Sequence, residues 1–331
     1  MTELYPMIFK SIFTEDVWGG RNLSKFGREL PEGQRVGQSW DIADHKDGLT
    51  QVSNGKFAGK NLTELIKMFG EELVGSKFGW FAEQGKFPLL VKLLDARQNL
   101  SLQVHPDDAW AKAHLENELG KNEMWVVLEA DPGASVTLGL SEVMTPEQLL
   151  ESVENGTVED KINIIPIKVG DYICVPAGSI HALMAGAVVA EIQQNSNTTY
   201  RVYDWNRPGL DGKPRPLQTE QAVEVSRFDQ VGLKVMPPQV IAEHDGMKRE
   251  KLCANSTFTT ERVYLEPGAQ FNGNCDGSTL EIWGVLEGRA DIAGIELDPV
   301  KFTLLPAALG PYTIQSAKGA VLLRAYAGDV V

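Results

Sequence analysis

The chain has 331 residues, of which 43% are hydrophobic and 23% charged, a composition typical of a globular protein that excludes a disordered or low-complexity chain. Its net charge of −14 argues against nucleic acid and anionic membranes as partners, so an anionic substrate would need a local cationic pocket. The N-terminus is acidic where a secretory signal is basic and then apolar, and no apolar run is as long as the roughly 18 residues of a membrane helix. We therefore expect a cytoplasmic protein.

Four short helices are predicted, each from a capping residue or an apolar face of helical period. Between them lie short β-branched and aromatic runs that Gly, Pro, Asn and Asp interrupt, and this spacing predicts antiparallel strands. The fold class is therefore mainly β, built from sandwiches or barrels. The predicted helices follow the cap Asn61, cover Asp107–Leu119 ahead of Gly120, begin at Thr145-Pro146, and cover Thr219–Val225.

A weak internal repeat relates two parts of the chain. The run EMWVVLE at 123–129 reappears as EIWGVLE at 281–287, and YICVPA at 172–177 is echoed by FTLLPA at 302–307. Two related β-domains follow from it, although chance similarity between two strand–turn patterns would produce the same likeness. The connection is predicted in NRPGLDGKPRP, which begins at Asn206, and the segment after it.

We expect a catalytic domain over 1–235 and a second domain over 236–331. Carrying the offsets of the repeat over to the second copy tests it for metal ligands. Glu281 then stands where a ligand would recur, but Glu261, Val263 and Pro311 stand at the other ligand positions. The second domain is therefore predicted to bind no metal.

A metal site is predicted from three separate segments. In the strand SLQVH, Ser101, Gln103 and His105 project to one face, because alternate residues of a strand share a face. Glu123 opens the next long strand, and His181 ends the segment that starts at Gly170. Two imidazoles, one carboxylate and one amide oxygen suit zinc or a similar divalent ion. An open coordination position for water or substrate is typical of a catalytic site, and the formal charge of +1 favours a developing oxyanion.

These motifs resemble a known family. Gly170-x5-Pro176-x-Gly178-x2-His181 is the second cupin motif, and Gln103-x-His105 with Glu123 resembles a variant of the first. That variant, followed by Pro-Asp-Asp, resembles type I phosphomannose isomerases of the short bacterial form. Further motifs resemble the same family over about 5–216, and more weakly to the C-terminus: WGG at 18–20, GK-x-E-x-W at 120–125, QQ-x-S at 193–196 and YR-x-YD at 200–204.

The resemblance implies two cupin (jelly-roll) β-barrel domains, with a few short helices added to the first. It also implies one zinc ion, or another divalent metal, per chain. The implied reaction interconverts mannose 6-phosphate and fructose 6-phosphate by moving a proton between C1 and C2 through an enediol. A small sugar phosphate is thus the expected partner, with no nucleic acid or membrane, and the oligomeric state is open between monomer and homodimer.

The resemblance also implies a role for individual residues. The chain departs from the family at Gln38, where a glutamate is usual, so the surroundings of the metal site are expected to differ. The implied metal ligands are Gln103, His105, Glu123 and His181; the implied catalytic residues are Arg201 and the proton-transferring base Glu191; the implied substrate-binding residues are Ser101, Lys92, Lys121 and Arg207.

Two other functions stay open from the sequence. A non-catalytic cupin would bind a sugar phosphate as a sensor or store, and it would need cationic anchors but no acid/base group. In that case Glu191 would be a charge partner of Arg201. An iron-dependent cupin oxygenase is the third reading, disfavoured by the Gln103 ligand and by the absence of two histidines on one strand.

Overall fold

The computed structural model describes residues 4–328, and in this range the protein is mainly β, which confirms the predicted fold class. No helix of the described range is long and apolar enough to cross a membrane. The cytoplasmic location stays a prediction.

The strands of the first part of the chain are β1 (Phe9–Lys10), β2 (Ile12–Gly20), β3 (Val36–Ile42), β4 (Asp44–His45), β5 (Gly48–Leu49), β6 (Gln51–Val52), β7 (Leu89–Ala96), β8 (Leu102–Val104), β9 (Glu123–Ala130), β10 (Ser135–Leu140), β11 (Ile162–Pro166), β12 (Tyr172–Val175), β13 (His181–Leu183), β14 (Ala187–Gln194) and β15 (Tyr200–Tyr203). Those of the last part are β16 (Gln239–His244), β17 (Met247–Ala254), β18 (Phe258–Leu265), β19 (Gln270–Cys275), β20 (Glu281–Gly288), β21 (Ala290–Ile292), β22 (Ile295–Leu297), β23 (Phe302–Leu305), β24 (Gly310–Gln315) and β25 (Ala320–Ala327). The α-helices are α1 (Leu62–Phe69), α2 (Glu71–Val74), α3 (Gly79–Glu83), α4 (Asp108–His114), α5 (Pro146–Glu154) and α6 (Thr219–Val225), and 3-10 turns cover Asn22–Phe26, Gly55–Phe57, Ser76–Phe78 and Val158–Lys161.

The capping residues seen in the sequence do begin helices. Asn61 accepts a hydrogen bond from the Glu64 N–H, and the Glu64 side chain accepts one from the Asn61 N–H. Thr145 and Gln148 form the same reciprocal pair at the start of α5. Such pairs satisfy N–H groups that the first turn leaves without partners. The predicted helix over 219–225 is confirmed as α6.

The helix predicted to reach Leu119 is shorter than expected. Of the two candidate caps, Asp107 and Asp108, it is Asp107 that caps α4, but the helix ends at His114 because Leu115 adopts an extended backbone conformation. Gly120 does not terminate the helix; its N–H donates to the Asp108 side chain at 2.9 Å. The predicted end of this helix was wrong, because Gly120 lies in the loop after the helix and not at its C-terminus.

The chain packs as two compact units. We call residues 13–39 with 92–236 the central unit, and the segments up to residue 12, over 40–91 and from 237 onward the terminal unit. The predicted boundary between 235 and 236 lies one residue before the last division between these units, which falls between 236 and 237. The two domains over 1–235 and 236–331 stay a prediction. Strand-like pairing of Met7 with Leu304, through hydrogen bonds of 2.9 and 2.8 Å, ties the chain start to the terminal unit.

The central unit contains the sheets that position the predicted ligands. One sheet has the order β11-β10-β13-β8-β15, and the other has the order β12-β9-β14-β7-β3-β2. Its apolar core takes Val136 and Leu183 from the first sheet and Leu94 and Trp125 from the second, so the two sheets pack face to face. The sheets do not close into barrels in the described range.

The terminal unit repeats this plan. Its sheets have the orders β16-β17-β18-β25-β20-β23 and β19-β24-β21-β22, and the core between them includes Trp283 and Ile314. In the central unit Val175 of β12 pairs with Glu123, and in the terminal unit Leu305 of β23 pairs with Glu281. The internal repeat is therefore a structural one, with matching strands in matching register.

Candidate active site

The central unit's two sheets supply the predicted ligands from neighbouring strands. On β8, Gln103 pairs with His181 of β13 on one side and with Arg201 of β15 on the other. Because paired residues of antiparallel strands lie side by side, Gln103 lies between the histidine and the arginine. Glu123 begins β9 in the facing sheet, where Gln193 of β14 is its partner.

His105, Glu123 and His181 converge on one point. Each offers a ligand atom, and these atoms all lie within 4.8 Å of one another. Nε2 of His181 lies 3.0 Å from Oε1 of Glu123, and Nε2 of His105 lies 3.5 Å from Oε2. All three side chains are buried, so the sequence correctly grouped residues from three segments.

The protonation of the two imidazoles fits a metal ion between them. Nδ1 of His105 lies 2.9 Å from the Thr198 carbonyl oxygen, and Nδ1 of His181 lies 2.9 Å from that of Ser179. A carbonyl only accepts hydrogen bonds, so Nδ1 carries the proton in each ring and Nε2 presents a lone pair. Buried Oε1 of Glu123 has no hydrogen-bond partner. Two lone pairs and an unsatisfied carboxylate oxygen that face one another form a metal-binding triad.

Gln103 lies where a fourth ligand would be expected. Its Nε2 is 3.3 Å from Nε2 of His181, and its Oε1 is 3.3 Å from the Ser101 hydroxyl. Oxygen and nitrogen of an amide exchange places by a half-turn of the group, which would bring Oε1 to the imidazole side. Ligation by Gln103 stays a prediction.

Lys121 supplies positive charge directly beside the triad. Its Nζ lies 2.5 Å from Oε2 of Glu123 and 3.1 Å from Nε2 of His105. Burial opposes ionisation of Glu123, but the charge of Lys121 outweighs it and holds the carboxyl pKa well below its usual value. Burial, reinforced by Lys121, lowers the pKa of His105 to about 3, so this imidazole is neutral and able to ligate a cation near neutral pH.

A cavity of about 330 Å³ in the central unit opens beside these groups. Five of the six residues predicted to act on or bind the substrate line it, together with Gln103: Ser101, Lys92, Lys121, Glu191 and Arg201. Arg207 is not among the lining residues, and its role in substrate binding stays a prediction. The cavity volume suits a small ligand at the lower end of the usual range of pocket sizes.

Glu191 is held in one orientation in the cavity wall. It pairs across the strands with Trp125, whose indole Nε1 donates to Oε2 of Glu191 at 2.8 Å. Oε1 lies 3.9 Å from Nζ of Lys92, and both side chains are 3% exposed. Burial first, and then the charge of Glu123, raise the pKa of Glu191. Burial lowers the pKa of Lys92 to about 8. Such opposed shifts in one cavity are typical of acid/base sites.

Sequence reasoning missed several residues of the wall. Asp16 and Gln38 come from the N-terminal strands, and the Gln38 amide donates to the Asp16 carboxylate at 3.2 Å. Asn197, Thr199 and Gln218 also line the cavity. Arg215 lies in the stretch predicted to connect the two domains, and no local sequence pattern indicates its contact with Asp204. The Asp16 carboxylate lies beside the amide at position 38, where the family usually has a glutamate.

Comparison with known proteins shows which family the chain is similar to. The family model for the type I phosphomannose isomerase catalytic domain matches residues 7–128. Mannose-6-phosphate isomerase ManA of Bacillus subtilis is 39% identical over 325 residues, covering 94% of this chain and 96% of the relative. The mannose-6-phosphate isomerase of Streptococcus mutans is 40% identical over 221 residues, covering 66% of this chain and 67% of the relative.

Solved structures match the whole fold. The crystal structure of mannose 6-phosphate isomerase from Bacillus subtilis has a TM-score of 0.85 at 32% identity, covering 98% of this chain and 99% of that one. A zinc-bound mannose 6-phosphate isomerase has a TM-score of 0.73 over 98% of this chain and 100% of its own, and at 15% identity it shares the fold alone.

Proposed function

Since the chain belongs to the type I phosphomannose isomerase family, we propose that it interconverts mannose 6-phosphate and fructose 6-phosphate, using the residues of the central cavity. One observation carries the assignment of residues. The buried carboxylate of Glu191 and the lysine Lys92 line one cavity together with Lys121, whose Nζ contacts Glu123 of the metal-binding triad. A non-catalytic sugar-phosphate binder would need the cations but not a carboxylate with a raised pKa fixed by an indole.

Glu191 is the proposed base. In the open-chain aldose it removes the proton from C2, the C1–C2 double bond forms, and negative charge moves to O1. Return of that proton to C1 yields the ketose, while the hydroxyl proton passes from O2 to O1. A base is most effective when its pKa approaches the working pH, so the raised pKa of Glu191 suits the task. The Trp125 hydrogen bond holds Oε2, so the proton goes to Oε1, which lies 3.9 Å from Nζ of Lys92.

Lys92 and Arg201 are proposed to stabilise the enediolate. Both line the cavity, and an ammonium or guanidinium fixed in advance stabilises negative charge more in a buried site than in water. The ammonium of Lys121 contacts the Glu123 carboxylate and neutralises its charge. Because Lys121 also lines the cavity, we propose that it binds a sugar hydroxyl. Ser101 is proposed to bind a substrate oxygen through its hydroxyl.

We propose zinc as the metal, held by His105, Glu123 and His181 with Gln103 as fourth ligand. Two neutral imidazoles with oxygen donors and no thiolate suit zinc, although similar divalent ions share this preference. When bound, the ion supplies a Lewis acid beside the sugar oxygens. We further propose that the C-terminal part of the chain binds no metal.

A coupled assay tests the function. Metal-loaded protein is given mannose 6-phosphate, and fructose 6-phosphate is detected through its conversion by downstream enzymes. We expect turnover with the loaded protein and its loss after chelation, with recovery when zinc is returned. Absence of turnover in protein shown to hold its metal would leave the sugar-phosphate binder as the function.

A further inference from the structure

We propose that Arg215, and not Arg207, binds the phosphate group of the substrate, an inference that rests on the proposed function. The substrate is a phosphate dianion, and the chain as a whole carries a charge of −14. Binding therefore requires a local excess of positive charge at the cavity. The arginines around Asp204 provide it.

Two guanidinium groups share the Asp204 carboxylate in this part of the central unit, and the guanidinium of Arg201 interacts with this group electrostatically. Arg207 donates to Oδ1 of Asp204 at 2.8 Å, and Arg215 donates to both carboxylate oxygens at 2.7 and 2.6 Å. Arg201 interacts electrostatically with Arg207, Arg215 and Asp204. Burial is the main cause that lowers the pKa of Arg201; the charge of Arg215 lowers it further, and the charge of Asp204 raises it. The cavity wall itself carries four cationic side chains, those of Lys92, Lys121, Arg201 and Arg215, against the two carboxyl groups of Asp16 and Glu191, and this formal excess of two positive charges matches a phosphate dianion.

Only two of these three arginines face the cavity. Arg201 and Arg215 line it, whereas Arg207 does not belong to the lining. The Arg215 side chain is 22% exposed, against 12% for Arg207. Arg215 therefore combines a place in the cavity wall with greater access to solvent than Arg207 has. A phosphate held at Arg215 places the sugar in the cavity that Lys92 and Glu191 also line.

The hydrogen bonds of Arg215 to Asp204 use only some of its guanidinium N–H groups, so the others can bind a ligand. Asp204 takes the Nε–H and one Nη2–H, and the group has five N–H donors in all. The three others are available in a planar fork that suits phosphate oxygens. Asp16 also lines the cavity, but its carboxylate accepts hydrogen bonds from Thr14 and Gln38.

The backbone around Arg215 is fixed before any ligand binds. Pro208 and Pro214 form a bridge, and the Gly209 N–H donates to the Lys213 carbonyl at 2.7 Å. Nη1 of Arg201 donates to the Pro216 carbonyl at 2.8 Å, which fastens the segment to β15. An anchor ordered in advance loses little conformational entropy on binding. In this arrangement Arg207 is a positioning residue that helps to hold Asp204.

The test compares R215A with R207A and with K213A. Lys213 is an exposed residue of the same loop, so K213A removes the same charge without touching the cavity. Two measurements are made on metal-loaded protein: the dissociation constant of inorganic phosphate by calorimetry, and kcat and KM for mannose 6-phosphate. We expect R215A to weaken phosphate binding and raise KM by about 10- to 100-fold, with a smaller change in kcat. R207A should have a weaker effect, K213A a change of less than about twofold, and R215K a partial recovery.

Equal or larger losses in R207A than in R215A would overturn the proposal, as would unchanged phosphate binding in R215A. A loss of metal and of melting temperature in R215A and R215K alike would mark Arg215 as structural and also overturn it. If the wild-type protein turns over no mannose 6-phosphate, the proposed function fails, but phosphate calorimetry on the same variants still decides between the two arginines.

Discussion

The two related units of this chain place a glutamate at the same point of the same strand and use it differently. Glu123 begins β9 and faces two imidazoles, whereas Glu281 begins β20 and faces Arg324. Arg324 donates to both oxygens of Glu281 at 2.8 and 2.7 Å, and Tyr312 and Trp283 donate to Oε2 as well. In the terminal unit the carboxylate is therefore saturated by protein groups.

A single strand position accounts for much of this difference. Trp125 of β9 pairs across the sheet with Glu191, and Trp283 of β20 pairs with Arg324. At this position the central unit has the carboxylate of Glu191, the proposed base, and the terminal unit has the guanidinium of Arg324, which pairs with Glu281. On our proposal, the same structural frame supports a metal site with acid/base chemistry in one unit and a buried ion pair in the other.

The largest expected effect is the loss of the metal site in the central unit. H181A removes an imidazole ligand, so metal content and turnover should both fall to background, a loss of at least about a thousandfold in activity. Metal analysis and the coupled assay measure both. The matched control is Y312F in the terminal unit, which removes a hydrogen bond to Glu281 and should leave metal content unchanged.

E191Q separates the base from the metal site. The amide keeps the shape of Glu191 but cannot take a proton, so kcat should fall by about 100- to 10,000-fold. Metal content should stay at the wild-type level because Glu191 is not among the triad. A loss of metal together with activity would show that Glu191 is structural instead.

R324A tests the ion pair on the other side of the comparison. It leaves Glu281 buried without its cation, and we expect the free energy of unfolding to fall by about 3–5 kcal/mol. Turnover per folded, metal-loaded molecule should change by less than about twofold, since no group of the cavity is altered. Denaturant unfolding gives the first quantity and the coupled assay the second. Unchanged stability would show that the pair does not matter to the fold.

The smallest effect concerns pH. Burial lowers the pKa of Lys92 to about 8, so the ammonium loses its charge as the pH rises through that value. If this charge stabilises the enediolate, kcat should decline above pH 8 by up to about tenfold per pH unit. In K92R the guanidinium keeps its charge, and the decline should move to higher pH. A decline at the same pH in K92R would assign it to another group.

The sequence grouped the predicted metal ligands His105, Glu123 and His181 because local signals place them. Strand alternation predicts that Gln103 and His105 share a face, and the spacing of the second cupin motif identifies His181. Only the proximity of these strands in space had to be assumed. The repeat could be read for the same reason, since EMWVVLE and EIWGVLE are continuous segments. The capping boxes at Asn61 and Thr145 are likewise complete within four residues.

The features that the sequence did not predict depend on contacts between residues that are far apart in the sequence. Asp16 and Gln38 enter the cavity wall through strand pairing, and Arg215 enters it through the Pro208–Pro214 bridge of a segment that reads as a linker. The grouping of the first twelve residues with the terminal unit depends on the pairing of Met7 with Leu304. No local sequence pattern predicts these pairings.

Anomalous diffraction at the zinc edge from crystals of the zinc-loaded protein tests the central comparison most directly. We predict one peak among His105, Glu123 and His181 and none beside Glu281. A peak at Glu281, or none at the triad in protein that analysis shows to contain zinc, would contradict the account.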